Sequence, residues 1–390
     1  MSVSLVSRAP TPILLAWPGL AALAVAMGIG RFAFTPIWPL MAQEAGLGLA
    51  QGGWLASANY AGYLAGALAA VAFPVRRVSA GLLGSLAAVV LLTLGMAVLD
   101  GMAAWLALRL AAGYASAWAF ICVAAWRPVP PGAPGEARIL NWTYCGVGVG
   151  IAASGLACLA LMRAGAGAGL NWLALGGLAG AATLAVAVAL RRRPAVAVAP
   201  AATTAQPALP AGERRDIRWL TLHYGLFGMG YIVPATFLPA MAQARVADPA
   251  VFGWVWPCFG AAAAASCLIA PRLARGGDER RTWRAAQLLM AAGMAAPALR
   301  DSLGAIALAA LLVGGTFVVI TQAGMQAARR SAGASAARAA AAMTAAFALG
   351  QILGPLAAAW AGRLGVDLAT VLGASAALLA LAALAIPQRA

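Results

Sequence analysis

Long apolar runs dominate this chain, and they are broken at short intervals by arginine, aspartate, glycine and proline. A membrane-crossing helix needs ~20 mostly apolar residues. By that measure spans are predicted near 13–41, 52–73, 80–99, 102–126, 139–161, 170–190, 218–241, 251–270, 283–299, 302–325, 338–360 and 366–386. That makes twelve, six on each side of a segment with a different character. Residues 191–216 hold Arg191-Arg192-Arg193 and four prolines (Pro194, Pro200, Pro207, Pro210) with no apolar period, which reads as an extended connection. The expected organisation is an all-α membrane protein: an N-terminal six-helix bundle over 1–190, a cytoplasmic Pro/Arg-rich linker over 191–216, and a C-terminal six-helix bundle over 217–390.

The first span contains the stretch GIGRFAFTPIWPLMAQ, Gly28 to Gln43, with Arg31 inside it. A charge in the middle of a hydrocarbon-length segment is unfavourable unless it faces a cavity or a partner, so it marks a functional site. The stretch recurs at an offset of 200 residues as GMGYIVPATFLPAMAQ, Gly228 to Gln243, and Gly53-Trp54 falls on Gly253-Trp254 at the same offset. The chain thus has two halves built on one plan, with the arginine in the first copy and Tyr231 in its place in the second. Pro36 and Pro39 each lack a backbone donor, so the outer end of span one is predicted to kink.

Composition narrows the class. With 390 residues that are 63% hydrophobic and 9% charged, and a mean hydropathy of +0.88, the chain has too little polar sequence to cover a soluble globule of that size. The formal charge of +16 does not point to nucleic acid, because the arginines sit in short clusters between apolar segments. Twelve spans with the N-terminus inside put 20 arginines in cytoplasmic segments and 4 opposite (Arg163, Arg245, Arg300, Arg363). That bias orients both termini to the cytoplasm of a bacterial-type inner membrane. Arg8 and the run from Ile13 imitate a signal peptide, but the apolar sequence continues past Ala26 and a retained span is preferred. The five cysteines lie in apolar segments without metal-ligand spacing and read as small buried residues. Gly28-x-Gly30-x-x-Ala33 follows no strand, so a dinucleotide cofactor is not read from it. Trp17, Trp105, Trp172, Trp219 and Trp283 near span ends read as interfacial anchors.

Candidate chemistry rests on what the spans contain and lack. All ten acids are placed in loops and none within a span, while Arg31 and Arg109 lie inside spans. Two buried cations without acidic partners leave positive charge that a bound anion would compensate. At 1.5 Å per residue, Arg31 lies ~15 Å and Arg109 ~10 Å from the outer surface, so the two could share a chamber. Snorkelling to the surface is the competing reading for Arg109. Asn59 and Tyr63 share a helix face with Gly62 and Gly66, a stripe that suits either cavity lining or helix packing. Tyr144, Tyr231, Gln322 and Gln351 are the remaining candidate lining groups, and Tyr224 shares the face of Tyr231. His223, at a span end, reads as interfacial more readily than as a proton carrier. No metal set or nucleophile–base pair supports an enzyme.

Twelve spans in two like halves, a long basic central loop and Arg76-Arg77 after the second span resemble the major facilitator superfamily. Within it, GIGRFAFTPIWPLM is similar to the first-helix signature of the YbfB/YjiJ-like transporters, and Arg109-x-x-x-Gly113-x-x-x-Ala117 is similar to the superfamily's fourth-helix arginine motif. The aspartate usual between spans two and three is missing from GALAAVAFPVRR. The resemblance implies alternating access about a central site, the way repeated halves expose one site to each side in turn. The resulting expectation is a secondary transporter of a small organic anion in the lipid bilayer, with Arg31 as first contact, Arg109 as second, and a proton as candidate coupling ion. The alternative is an exporter of apolar, drug-like compounds in which Arg31 is structural. A receptor or membrane enzyme is the minor alternative.

Overall fold

The computed structural model describes residues 11–73, 77–126, 128–130, 133–192, 211–246, 248–273, 278–332 and 336–387, and among these helix is the only regular secondary structure. The first span is α1 (Pro12–Leu23), a π-helical turn (Ala24–Ile29) and α2 (Phe34–Ala45). Then come α3 (Leu49–Ala72), α4 (Val78–Val98), α5 (Met102–Ala125), α6 (Glu136–Arg163) and α7 (Ala168–Arg192). The second half comprises α8 (Ala211–Gln243), α9 (Pro249–Phe252) continued by α10 (Val255–Leu273), α11 (Glu279–Leu299), α12 (Leu303–Ala332), α13 (Ala336–Arg363) and α14 (Leu368–Leu384). Among the described residues, nine of these spans are long and apolar enough to cross a membrane. The other three are α3 and α11, which have spanning length, and α14, which is apolar but has 17 residues. Large apolar side chains such as Leu91, Leu184, Leu353 and Leu381 stand exposed, as a helix facing hydrocarbon requires.

Helices pack mainly within their own half: α3 on α5, α4 on α5 and α7, α1 on α6; then α8 on α12, α13 and α14, and α11 on α12 and α14. The tightest crossing joins α3 to α5. A Cβ on Gly62 would meet the Leu110 backbone, and one on Gly113 would meet the Asn59 carbonyl, so each helix lays bare backbone against the other. Of the two readings of the Asn59–Gly66 stripe, packing therefore accounts for Gly62, and likewise for Gly66, where a Cβ would meet the Tyr114 carbonyl.

The structure departs from the sequence expectations at three places. Arg191 and Arg192 close α7 and Glu213 opens α8, each with the charge that suits its helix end, so both ends of the 191–216 connection are helical. Residues 193–210, with Arg193 and all four prolines, lie outside the described residues, as do Arg8 and Arg76. Trp172 and Trp283 are not at an interface: both are buried, one donating to Met41 Sδ at 3.4 Å and the other to Gln287 Oε1 at 2.7 Å. Glu279 and Arg280, expected in a loop, are buried at the start of α11. Arg280 donates to the Pro387 carbonyl at 2.9 Å, to Ser331 Oγ at 2.9 Å and to the Asp216 carboxylate, tying four helix ends together, while Arg330 donates to Glu279 at 2.6 Å.

The acids do helix-end work elsewhere too. Asp248, Asp278 and Asp367 accept backbone N–H groups at the starts of α9, α11 and α14. The Thr370 N–H, 2.6 Å away, holds the exposed Asp367 carboxyl below its ordinary range.

Candidate functional site

The site begins with a break in the first span. Pro36 has no N–H, so the Phe32 carbonyl has no donor four residues on; Thr35 N–H turns to it instead, at 3.2 Å. Upstream, Gly30 N–H bonds Val25 O at 2.9 Å and Phe32 N–H bonds Met27 O at 3.2 Å, both five-residue π-type links. The break therefore spans Ala24 to Ala33, one turn before the kink expected from Pro36 and Pro39. In the repeat copy α8 runs unbroken through Gly228 to Gln243 and has Thr236 where the first copy has Pro36.

In a regular helix the Arg31 carbonyl would accept Thr35 N–H. Here it accepts from Arg109 Nη2 at 3.0 Å. Arg109 Nη1 lies 3.5 Å from the Gly30 carbonyl, which also accepts from Asn59 Nδ2 at 3.2 Å, and the same Asn59 nitrogen donates to Arg109 O at 2.9 Å. The Arg109 guanidinium lies 4.9 Å from the Phe34 ring centroid. Asn59 and Arg109 are both buried, and they supply from α3 and α5 the donors the broken turn has lost.

The Arg31 side chain points the other way. Its guanidinium lies 4.0 Å from the centroid of Tyr63 and 5.1 Å from that of Tyr60, and its Nη2 donates to Gln351 Oε1 at 2.9 Å. Gln351 Nε2 donates in turn to Tyr231 OH at 2.6 Å. Residues 31 and 231 occupy equivalent places in the two copies, so one amide joins a repeat position to its own counterpart. A second equivalent pair meets directly, Thr35 Oγ1 donating to Ala235 O at 2.9 Å. Thr35→Val removes that bond at similar shape and is expected to cost ~0.6 kcal/mol, a small downward shift in thermal unfolding. Loss of folded protein would contradict so local a role.

Arg31 lines a chamber of about 400 Å³ between the halves. Met27 and Phe32 flank it; Tyr63, Phe120, Tyr144 and Val147 come from α3, α5 and α6; Tyr224, Tyr231, Phe317, Val318, Thr321, Gln322, Met325, Arg329, Thr344 and Phe347 come from α8, α12 and α13. No carboxylate is among these residues. Arg31 is 3% exposed, and its Nε has no hydrogen-bond partner among the described residues.

Of the residues expected at the site, Arg31, Tyr63, Tyr144, Tyr231 and Gln322 meet on the chamber, and Gln351 joins them through Arg31 and Tyr231. Asn59 and Arg109 do not line it. The shared chamber expected for the two arginines is absent because Arg109 spends its donors on the backbone beside Arg31. His223 is stacked on Trp219, ring centroids 5.9 Å apart, away from the chamber. Thr344 and Phe347 line it, as their helical spacing with Gln351 suggests, whereas Phe32, Phe120, Phe317 and the mouth residue Arg329 are lining groups that the sequence does not single out. Phe317, Thr321, Met325 and Arg329 recur every four residues, one helix face, and that spacing is the signal for the α12 wall.

The chamber is shut on one side. There Ser57 Oγ donates to Ile352 O at 2.9 Å, the Arg363 guanidinium lies 4.8 Å from the Trp54 centroid, and Gly53 lets α3 close on the Pro355 backbone of α13. Most lining residues lie towards the opposite ends of their helices, late in α3, α5 and α12 and early in α6 and α13, where half-exposed or exposed groups such as Gln322 and Arg329 stand at the mouth.

The family of the uncharacterised MFS-type transporter YbfB matches residues 23–386. Among solved structures, a bacterial homolog of the human lysosomal transporter Spinster, in an inward-facing and unoccupied conformation, has a TM-score of 0.72 at 15% identity over 96% of each chain. A variant of the nucleoside transporter NupG has a TM-score of 0.73 at 13% identity, over 96% of this chain and 99% of that one. At such identities the likeness shows the fold, the major facilitator fold. No curated protein matches the chain.

Proposed function

The chain belongs to the family of the uncharacterised MFS-type transporter YbfB and is a membrane transporter; from that premise we propose that it moves a small organic anion across the inner membrane by alternating access, with Arg31 as the principal contact. One observation carries the anion: a buried arginine lines the chamber with no carboxylate beside it, and a bound anion supplies the missing charge. Gln351 and the ring of Tyr63 orient the guanidinium but bring no negative charge of their own.

On this reading residues 1–190 and 217–390 rock as two bodies joined by 191–216. The arginine bias puts the mouth beside Arg329, and both termini, on the cytoplasmic side. Arg109 and Asn59 hold the broken turn that presents Arg31, and neither touches solute. A proton is the candidate coupling ion; with no acid among the described lining residues to carry it, it enters with the anion. The abundance of aromatic lining favours a second reading, export of apolar compounds.

Thermal shift of the purified protein separates the two, because a ligand that binds only the folded form raises apparent stability. Organic anions are expected to raise Tm and their neutral amides to leave it unchanged. A rise with apolar neutral compounds alone would overturn the anion in favour of export.

A further inference from the structure

The chamber walls constrain the solute beyond its charge, a constraint that rests on the solute being an anion held by Arg31. On the second-half side Tyr231 lies between two rings in near-parallel array: Phe317 at 5.8 Å with planes 10° apart, and Phe347 at 5.5 Å with planes 13° apart. Facing them from the first half are Tyr63 and the Phe120–Tyr144 pair, 5.9 Å apart. Arg31 stands at the junction of the two walls. Its guanidinium rests on the Tyr63 face, and Gln351 fixes its position against Tyr231.

We propose that the preferred solute is an aryl monoanion: one or two fused aromatic rings bearing a single carboxylate, the ring between the Tyr231–Phe347 wall and the Phe120–Tyr144 wall and the carboxylate on Arg31. Aromatic faces and edges attract another ring beyond simple area burial. The rigid planar guanidinium takes a carboxylate by two parallel N–H bonds. Charge sets the count. Arg31 is the one buried cation among the described chamber residues, since Arg329 is exposed at the mouth, so a second negative charge would sit unpaired against aromatic rings. The volume of about 400 Å³ lies within the ~300–1,000 Å³ range of small-molecule sites. Hydroxyl groups line it as well, but those of Thr321 and Thr344 donate to carbonyls of their own helices and that of Tyr231 accepts from Gln351.

The test is titration of the purified full-length protein with benzoate, 2-naphthoate, cyclohexanecarboxylate, phthalate and benzamide, read by calorimetry. Benzoate or naphthoate is expected to bind ~3–10-fold more tightly than cyclohexanecarboxylate, phthalate more weakly than benzoate, and benzamide not at all. Cyclohexanecarboxylate binding as tightly as benzoate overturns the aryl preference and leaves the anion reading standing. Phthalate binding more tightly than benzoate overturns the single charge. Benzamide binding as tightly as benzoate overturns the anion reading itself, and no binding by any of the five overturns both. Phe347→Leu, with Phe317→Leu as the substitute should it fail to fold, is expected to bring the benzoate-to-cyclohexanecarboxylate ratio close to one. An unchanged ratio in the folded variant sinks the stacking wall.

Discussion

Arg31→Ala is expected to abolish transport and to weaken anion binding by about 30-fold or more, while the ligand-free protein unfolds at the same temperature or a higher one. The two effects have separate causes. Truncating one partner of a buried charge pair costs ~2–5 kcal/mol of binding, which is at least a factor of about 30. Without solute, however, Arg31 is a buried charge whose side chain hydrogen-bonds a neutral amide, Gln351. Replacing an uncompensated buried ion relieves its desolvation cost, and the fold gains or breaks even. The check is paired: binding and uptake in proteoliposomes, and thermal unfolding of the same preparation. Normal transport kinetics in the variant would remove Arg31 from the site. A collapse of folded yield would return it to the structural role in which the export alternative casts it.

Arg109→Lys is expected to destabilise the protein by ~2 kcal/mol although the charge is kept. The reason is geometric. The guanidinium presents a fork to two successive carbonyls, at 3.0 Å on Arg31 O and at 3.5 Å on Gly30 O, while its face lies on Phe34. An ammonium is a point charge at the end of a flexible stem and cannot hold both carbonyls and the ring at once. Losing the fork strips the Arg31 carbonyl of its donor in the broken turn, whereas that of Gly30 keeps Asn59. Lower Tm together with weaker anion binding, because the turn carrying Arg31 relaxes, is the expected pair of readouts. A lysine variant indistinguishable from the parent would mean that any cation serves at that depth, as snorkelling holds.

Much of the architecture is legible in the residues. The 200-residue offset sets Arg31 against Tyr231, and the structure joins those two positions through Gln351. Apolar run length marks out the twelve spans because hydrocarbon imposes a minimum helix length. Local composition does not tell a polar group aimed at a cavity from one aimed at backbone: Asn59 and Tyr63 share a helix face, yet one caps carbonyls and the other lines the chamber. The break at Ala24 to Ala33 is displaced from the prolines for a related reason. Pro36 acts on carbonyls upstream of itself, and the break survives only because Arg109, 78 residues away, takes one of them. Phenylalanines such as Phe120 and Phe317 carry no sign of whether they face core or solute, and Arg329 looks in the sequence like one more charge of a cytoplasmic loop.

The Gln351 bridge has a bearing on how the duplicated plan came to be unequal. Equivalent positions of two copies touch only close to the axis that relates them, and 31 and 231 meet there across a single amide. Two arginines so placed would repel over one shared acceptor, and two tyrosines would leave nothing to hold a charge. Symmetry at this point is therefore electrostatically closed to a protein that carries an anion. Under the proposed anion transport, the first copy bears the charge with Arg31 and its counterpart Tyr231 holds the amide that positions it.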